Sequence, residues 1–344
     1  MAKCFFLKTS NLGRFFKGLT ESYDVFFPVK ERNQRYFKKY TGSADEALVG
    51  EVRPFEPLKA FFSRARERVA EDFKSGAPRS PAKPLAIVGV KACDLKGFKI
   101  QDHVFGNHGC PDPFYVRNRQ ENLIISSDCT CTIDTCFCLA VEVQPHPREN
   151  FDLNFSPVAR GFVVEVGSAK GQAALDKNSS LFEEAAAEDL RSRDNQRASV
   201  EQEVEQNLKR FDVPSQDRFG GIIERNFNSE IWKEEAKTCV ECGACTQICP
   251  TCHCFLLYDQ KDETHMSRLR VWDSCLLKDY ARVAGGANPR KQLWMRLRNR
   301  FEKKFDFFPK VAQVYACTGC GRCISACPAK IDIRRVLKKL VAHA

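Results

Sequence analysis

Eight cysteines in the C-terminal third carry the strongest chemical information in the chain. Cys239, Cys242, Cys245 and Cys249 precede Pro250, and Cys317, Cys320, Cys323 and Cys327 precede Pro328. Both runs read C-x-x-C-x-x-C-x-x-x-C-P. Thiolates at this spacing hold [4Fe-4S] clusters in pairs: three cysteines of a run bind one cluster and the fourth reaches across to the other. The expected sets are Cys239, Cys242, Cys245 and Cys327 for a first cluster, and Cys317, Cys320, Cys323 and Cys249 for a second. Gly243, Gly319 and Gly321 relieve crowding where the backbone wraps a cube and turns its N–H groups toward sulfur. The trailing proline stops a helix and swings the fourth cysteine outward. Zinc prefers paired C-x-x-C knuckles to triplets followed by C-P.

The other cysteines of the 18 are less regular. Cys129, Cys131, Cys136 and Cys138 crowd together after an apolar segment, and Cys93 follows another. Loops converge at strand ends of an α/β sheet, so Cys93 can meet this group in space. Five thiols for four ligand positions predict a third iron-sulfur cluster, with zinc and uncommitted thiols as the alternatives. Cys252 and Cys254 flank His253 close to the first run. They read as buried thiols beside the clusters, with additional or substitute ligands as the competing reading. Cys275 reads as a small core hydrophobe. Cys4 and Cys110 carry no pattern. The six histidines are scattered, so neither H-E-x-x-H nor a nucleophile–base pair emerges. No G-x-G-x-x-G follows a strand and no G-x-x-x-x-G-K-[ST] is present, so neither a dinucleotide nor a P-loop site is indicated. The segment AGGANPR at 284–290 reads as a turn.

Three segments read as strands that could position these groups: LAIVGV at 85–90, NLIISS at 122–127 and GFVVEVG at 161–167. Asp94 is a candidate cap for a helix through Val104 and Phe105, and Asp112 with Pro113 reads as an N-cap with proline at N1. From about 168 the sequence becomes polar, rich in Glu and Arg, and helical up to Pro214. The insert between the runs also reads helical. Within it, Leu293, Leu297, Phe301 and Phe305 predict a helix with one buried face and its arginines outside. Ile333, Val336, Leu337, Leu340 and Val341 form the apolar stripe of a closing helix, opposite Arg334, Arg335, Lys338 and Lys339. The expected fold class is α+β. It comprises an α/β domain over 1–167 with the additional cluster, a helical connector over 168–219, and an α-helical ferredoxin-type dicluster domain over 220–344.

The formal charge of +10 counts every thiol as neutral. Eight cluster thiolates at about −8 and two oxidised cores at about +4 bring it near about +6, and a third cluster brings it near about +4. A solvated basic face remains over 291–305, with docking of an acidic partner as its competitor; nucleic acid is not the expected partner. The N-terminal sequence lacks the long apolar core and cleavage site of a signal peptide, and no segment is apolar enough to span a membrane. A reduced, cytoplasmic setting is expected, in which the thiols bind metal.

The chain resembles the iron-sulfur β subunits of cytoplasmic nickel-iron hydrogenases and sulfhydrogenases, and the related A subunit of anaerobic sulfite reductase. The resemblance is carried by Cys93-Asp94-Leu95, by Asp112-Pro113 with Tyr115 and Arg117, by Cys129 with Cys136-Phe137-Cys138, and by Cys249-Pro250-Thr251-Cys252-His253-Cys254-Phe255. Trp272-Asp273-Ser274-Cys275, Ala284-Gly285-Gly286 and Asn288-Pro289-Arg290 extend it. It implies Cys93, Cys129, Cys136 and Cys138 as ligands of the third cluster, with Cys131 as a spare. It also implies an electron-transfer subunit without catalytic residues of its own, relaying single electrons through [4Fe-4S] clusters. One partner would be a flavin-containing subunit linked to NAD(P)H or ferredoxin. The other would be a terminal catalytic subunit: a hydrogenase, a heterodisulfide-reductase-like protein or a sulfite reductase. The rival reading is a flavin-containing oxidoreductase subunit with its own active site in the N-terminal domain.

Overall fold

The computed structural model describes residues 4–72, 74–75, 83–106, 109–261, 263 and 265–343. It is a mixed α/β structure organised on one large sheet. From edge to edge the strands run Phe182–Glu184, Cys4–Lys8, Gly161–Val166, Leu153–Val158, Leu123–Ser127, Leu85–Val90, Asp24–Glu31 and Gln34–Lys39. The three pairings between Leu153–Val158 and Asp24–Glu31 are parallel, and the flanking pairings are antiparallel. Strands covered on both faces read as continuous apolar runs. Ala86, Ile87, Val88, Leu123 and Ile125 are accordingly buried.

The helix Ala92–Phe105 follows the central strand Leu85–Val90, and Cys93 lies in its first turn. It starts earlier than a cap at Asp94 would require. The Asp94 carboxylate instead accepts from the Leu58 N–H at 3.1 Å and pairs with Arg322 at 2.7 Å. Asp112 does cap Pro113–Glu121, accepting from the N–H groups of Phe114 and Tyr115. The segment after 168, expected to be a helical connector, is instead divided by a strand of the sheet: the helix Ala169–Lys177, the edge strand Phe182–Glu184 paired with Cys4–Lys8, and the 25-residue helix Ala187–Phe211. This last helix lies along the sheet, where Arg197 reaches Asp128 at 2.7 Å and Glu165 at 2.6 Å.

Two expectations for the insert are corrected. Much of its first half is strand rather than helix: Phe255–Lys261 and Met266–Trp272 pair antiparallel, and the latter pairs with Arg66–Glu71. The segments FLLYDQK and MSRLRVW supply the aromatic and branched residues that suit a pleated surface. In the helix Leu293–Glu302 and the π turn Lys303–Phe307, the basic residues do not all face outward. Arg296, Arg300 and Lys304 are buried beside the expected apolar stripe of Leu297, Phe301 and Phe305. The closing helix Ile333–Ala342 buries Ile333, Val336, Leu337 and Leu340 of its expected stripe and half-buries Val341, but Arg334 is also buried, paired with Asp332 and stacked 3.9 Å above the Phe211 ring.

One apolar core joins the two ends of the chain. Phe137, Ala140, Val141 and Val143 from the N-terminal half pack with Trp232, Leu297, Phe301, Val336 and Leu337 from the C-terminal half. The loop carrying Cys136 and Cys138 is thereby embedded against the cysteine runs. Among the described residues, no helix is long and apolar enough to cross a membrane.

Candidate functional site

The two runs share a local backbone. Each places two residues in the left-handed region after its first cysteine: Glu241 (φ 55°) and Gly243 (φ 70°) in one, Gly319 (φ 64°) and Gly321 (φ 67°) in the other. Each then forms one short helix, Ala244–Gln247 or Arg322–Ser325, and the two helices pack together. In both, the first sulfur accepts a backbone N–H two residues on, Glu241 to Cys239 and Gly319 to Cys317. Donors aimed at sulfur favour the thiolate.

Packing crosses the fourth cysteines between the runs. Cys239, Cys242, Cys245 and Cys327 line one cleft, closed by Leu276, Leu297 and Pro328. In the second group, Cys323 has Cys320, Cys249 and Cys317 as electrostatic neighbours. Burial pushes the Cys317 thiol up to about 11 and Cys323 up to about 12. Cys249 goes the other way: a hydrogen bond from the Cys252 thiol, reinforced by the Lys304 ammonium at 3.3 Å, holds it well below the usual thiol range.

The N-terminal thiols form a third group next to the second. Cys129 has Cys136 and Cys131 as neighbours, Cys138 has Cys136 and Cys129, and both Cys93 and Cys136 neighbour Cys320. Burial raises all four pKa values, that of Cys129 to about 12. The contact with the second run is backbone-tight. The Phe137 N–H donates to the Gly319 carbonyl at 2.9 Å. A Cβ at Gly319 would stand 2.4 Å from the Cys138 Cα, and one at Gly321 would stand 2.1 Å from the Thr135 carbonyl oxygen.

Buried cations complete the site, and sequence reasoning missed them. Arg322 donates to the Pro54 carbonyl and pairs with Asp94 beside Cys320 and Cys93. Arg53 donates to the Cys320 carbonyl. Lys91 donates to Ser127 at 2.6 Å and to the carbonyls of Val49 and Asp128, among Cys129, Cys131 and Cys93. Arg300 lies among Cys245, Cys323, Cys252 and Cys249, and its Nε and Nη2 find no acceptor among the described residues. The signal available in sequence was the four-residue spacing of Arg296, Arg300 and Lys304, directly alongside Leu297, Phe301 and Phe305.

This donor set fits iron-sulfur clusters. Four thiols, Cys239, Cys242, Cys245 and Cys327, line a common cleft, and cysteine thiolates in sets of four hold [4Fe-4S] clusters. Buried cations and unfilled N–H donors suit an anionic, sulfide-rich group.

Comparison with known proteins places a dicluster domain over the two runs. Residues 238–331 match the family described as a 4Fe-4S dicluster domain. Over 329 residues, the chain is 32% identical to "Sulfhydrogenase 2 subunit beta" of Pyrococcus furiosus, a match that covers 95% of both chains.

Proposed function

This chain belongs to the family of sulfhydrogenase beta subunits, and from that premise we propose that it is a non-catalytic electron-relay subunit holding three [4Fe-4S] clusters. Its membership and its dicluster domain make it an electron-transfer subunit. The ligand sets proposed are Cys239, Cys242, Cys245 and Cys327; Cys317, Cys320, Cys323 and Cys249; and Cys93, Cys129, Cys136 and Cys138. The observation that carries the reading is the crossed packing of the runs, which puts Cys327 in the cleft with three cysteines of the other run. When bound, such clusters supply one-electron carriers whose potentials follow charge, burial and hydrogen bonding.

The residues around them have definable tasks. Lys304 and Arg300 offset the thiolate charge gathered between the two runs. Arg322 and Lys91 do so on the N-terminal side. Phe137 and Leu297 keep water from the space between groups. The domain scheme of 1–167, 168–219 and 220–344 is retained as a proposal. The strands shared between Arg66–Glu71 and Met266–Trp272 support reading its first and last parts as one working unit.

The proposed partners are a flavin-containing subunit linked to NAD(P)H or ferredoxin and a terminal catalytic subunit of hydrogenase or heterodisulfide-reductase type, in the cytoplasm. The test is anaerobic purification of the complex from its native host, followed by electron paramagnetic resonance. The expected result is iron-sulfur signals of this chain that develop when NAD(P)H or reduced ferredoxin is added. Zinc in place of iron, or signals that neither donor develops, contradicts the relay.

A further inference from the structure

A further set of thiols surrounds a cavity of about 270 Å³ that none of the eight run cysteines lines. Cys252, Cys254 and Cys275 line it together with His253. The first two follow the first run directly, whereas Cys275 arrives from beyond the strand Met266–Trp272. The Asp273 N–H donates to the Cys254 carbonyl at 2.9 Å, which fixes the two segments against each other. Cys275 is buried, and Cys254 and Cys252 are half-buried. The Tyr280 hydroxyl lies 3.6 Å from the Cys254 sulfur.

His253 is arranged as a ligand would be. Its Nδ1 lies 3.0 Å from the Thr251 carbonyl oxygen. A carbonyl only accepts, so Nδ1 carries the proton and Nε2 keeps its lone pair. Metal-binding histidines are oriented by this kind of bond from their other nitrogen. The Phe308 ring stands edge-on to the imidazole at 5.4 Å and holds its plane.

The cavity wall also contains donors without acceptors. Asn299 Nδ2 is buried and unpartnered among the described residues, as are Arg300 Nε and Nη2. Arg300 lines the first-run cleft as well, so Asn299 is the donor specific to this cavity. Lys303 and Lys304 add positive charge to the same wall. Cys252 stands at the boundary, since its thiol also reaches Cys249. Three thiols, one lone-pair nitrogen, cationic side chains and unfilled N–H groups suit an anionic group that accepts hydrogen bonds. Sulfide bridges do so.

We propose that this cavity is an additional iron-sulfur site, with Cys252, Cys254, Cys275 and His253 Nε2 as ligands and the Asn299 and Arg300 N–H groups donating to sulfide. The inference rests on the reading of the chain as a cluster-loaded relay, and its test separates the two. Iron, acid-labile sulfide and the paramagnetic resonance of the reduced full-length chain are compared between wild type and the Cys254→Ser/Cys275→Ser variant. The variant is expected to lose about four iron and about four sulfide per chain, together with one resonance signal, while the dicluster signals persist. His253→Cys, which retains a ligand, is expected to keep the iron and change the g values of that same signal. A merely structural histidine would leave the g values unmoved. Wild-type iron, sulfide and spectrum in the double variant, or unmoved g values in His253→Cys, overturn the proposal. So does zinc at this site. A wild-type chain lacking the dicluster signals overturns the relay reading instead.

Discussion

Glu241 and Gly319 occupy the same place in their two runs, with φ of 55° and 64°, yet only one of these places tolerates a side chain. Glu241 is half-buried, and its carboxylate meets the buried Arg296 guanidinium at 2.9 Å. Gly319 is pressed against Cys138, where a Cβ has no room. The first run is correspondingly open, with Cys242 exposed and Val240 65% exposed, while the second lies beneath the N-terminal cysteine loop. Identical ligand spacing therefore serves different positions: one run faces outward and the other faces a further group of thiols.

Replacing the buried arginine on each side tests that contrast most severely. Arg322→Met strands the buried Asp94 carboxylate and is expected to destabilise the protein by about 3–5 kcal/mol. Arg296→Met, on the first-run side, loses bonds to the carbonyls of Leu276, Arg290 and Lys291 and frees a partly exposed Glu241. Its expected cost is about 1–3 kcal/mol. Anaerobic thermal melts rank the two, and equal losses would erase the distinction.

Glycine replacement sharpens the comparison at the backbone. Both Gly321→Ala and Gly243→Ala force an L-residue to positive φ, at about 1–2 kcal/mol. Gly321→Ala adds a collision with the Thr135 carbonyl, whereas Gly243→Ala meets only the Ser274 side chain at 3.1 Å. The total for Gly321→Ala should reach about 2–4 kcal/mol. It should also weaken protection of the Cys136–Cys138 amides in hydrogen exchange, an effect absent from Gly243→Ala. The smallest effect is expected at the surface: Val240→Ser should change stability by no more than about 0.5 kcal/mol. If the open run is the side that meets a partner subunit, the same change should weaken co-purification of that subunit.

Local signals were legible where local physics decides. Leu85–Val90 is covered on both faces and reads as a strand, and Asp112-Pro113 is a cap wherever the helix lies. The motif of each run carries its own turn and short helix. The strands after the first run were not legible, because the hairpin of Phe255–Lys261 and Met266–Trp272 is rich in polar and charged residues and is completed only by Arg66–Glu71, far away in sequence. Asp94 was misread as a cap because its true partner, Arg322, lies at the opposite end of the chain. Arg300 and Lys304 looked like a solvated face because a basic stripe at helical spacing has the same pattern whether it meets water or thiolate. Their burial becomes intelligible only once Cys245, Cys249 and Cys323 are seen around them.

The third group of thiols beside the second run decides most directly how far the proposed relay extends. Iron and acid-labile sulfide should be counted anaerobically in the full-length chain and in the Cys129→Ser/Cys136→Ser variant. A loss of about four iron and about four sulfide per chain is predicted, with the dicluster signals intact. An unchanged count with an unchanged resonance spectrum would show that these cysteines hold no cluster and that the relay ends at the second run.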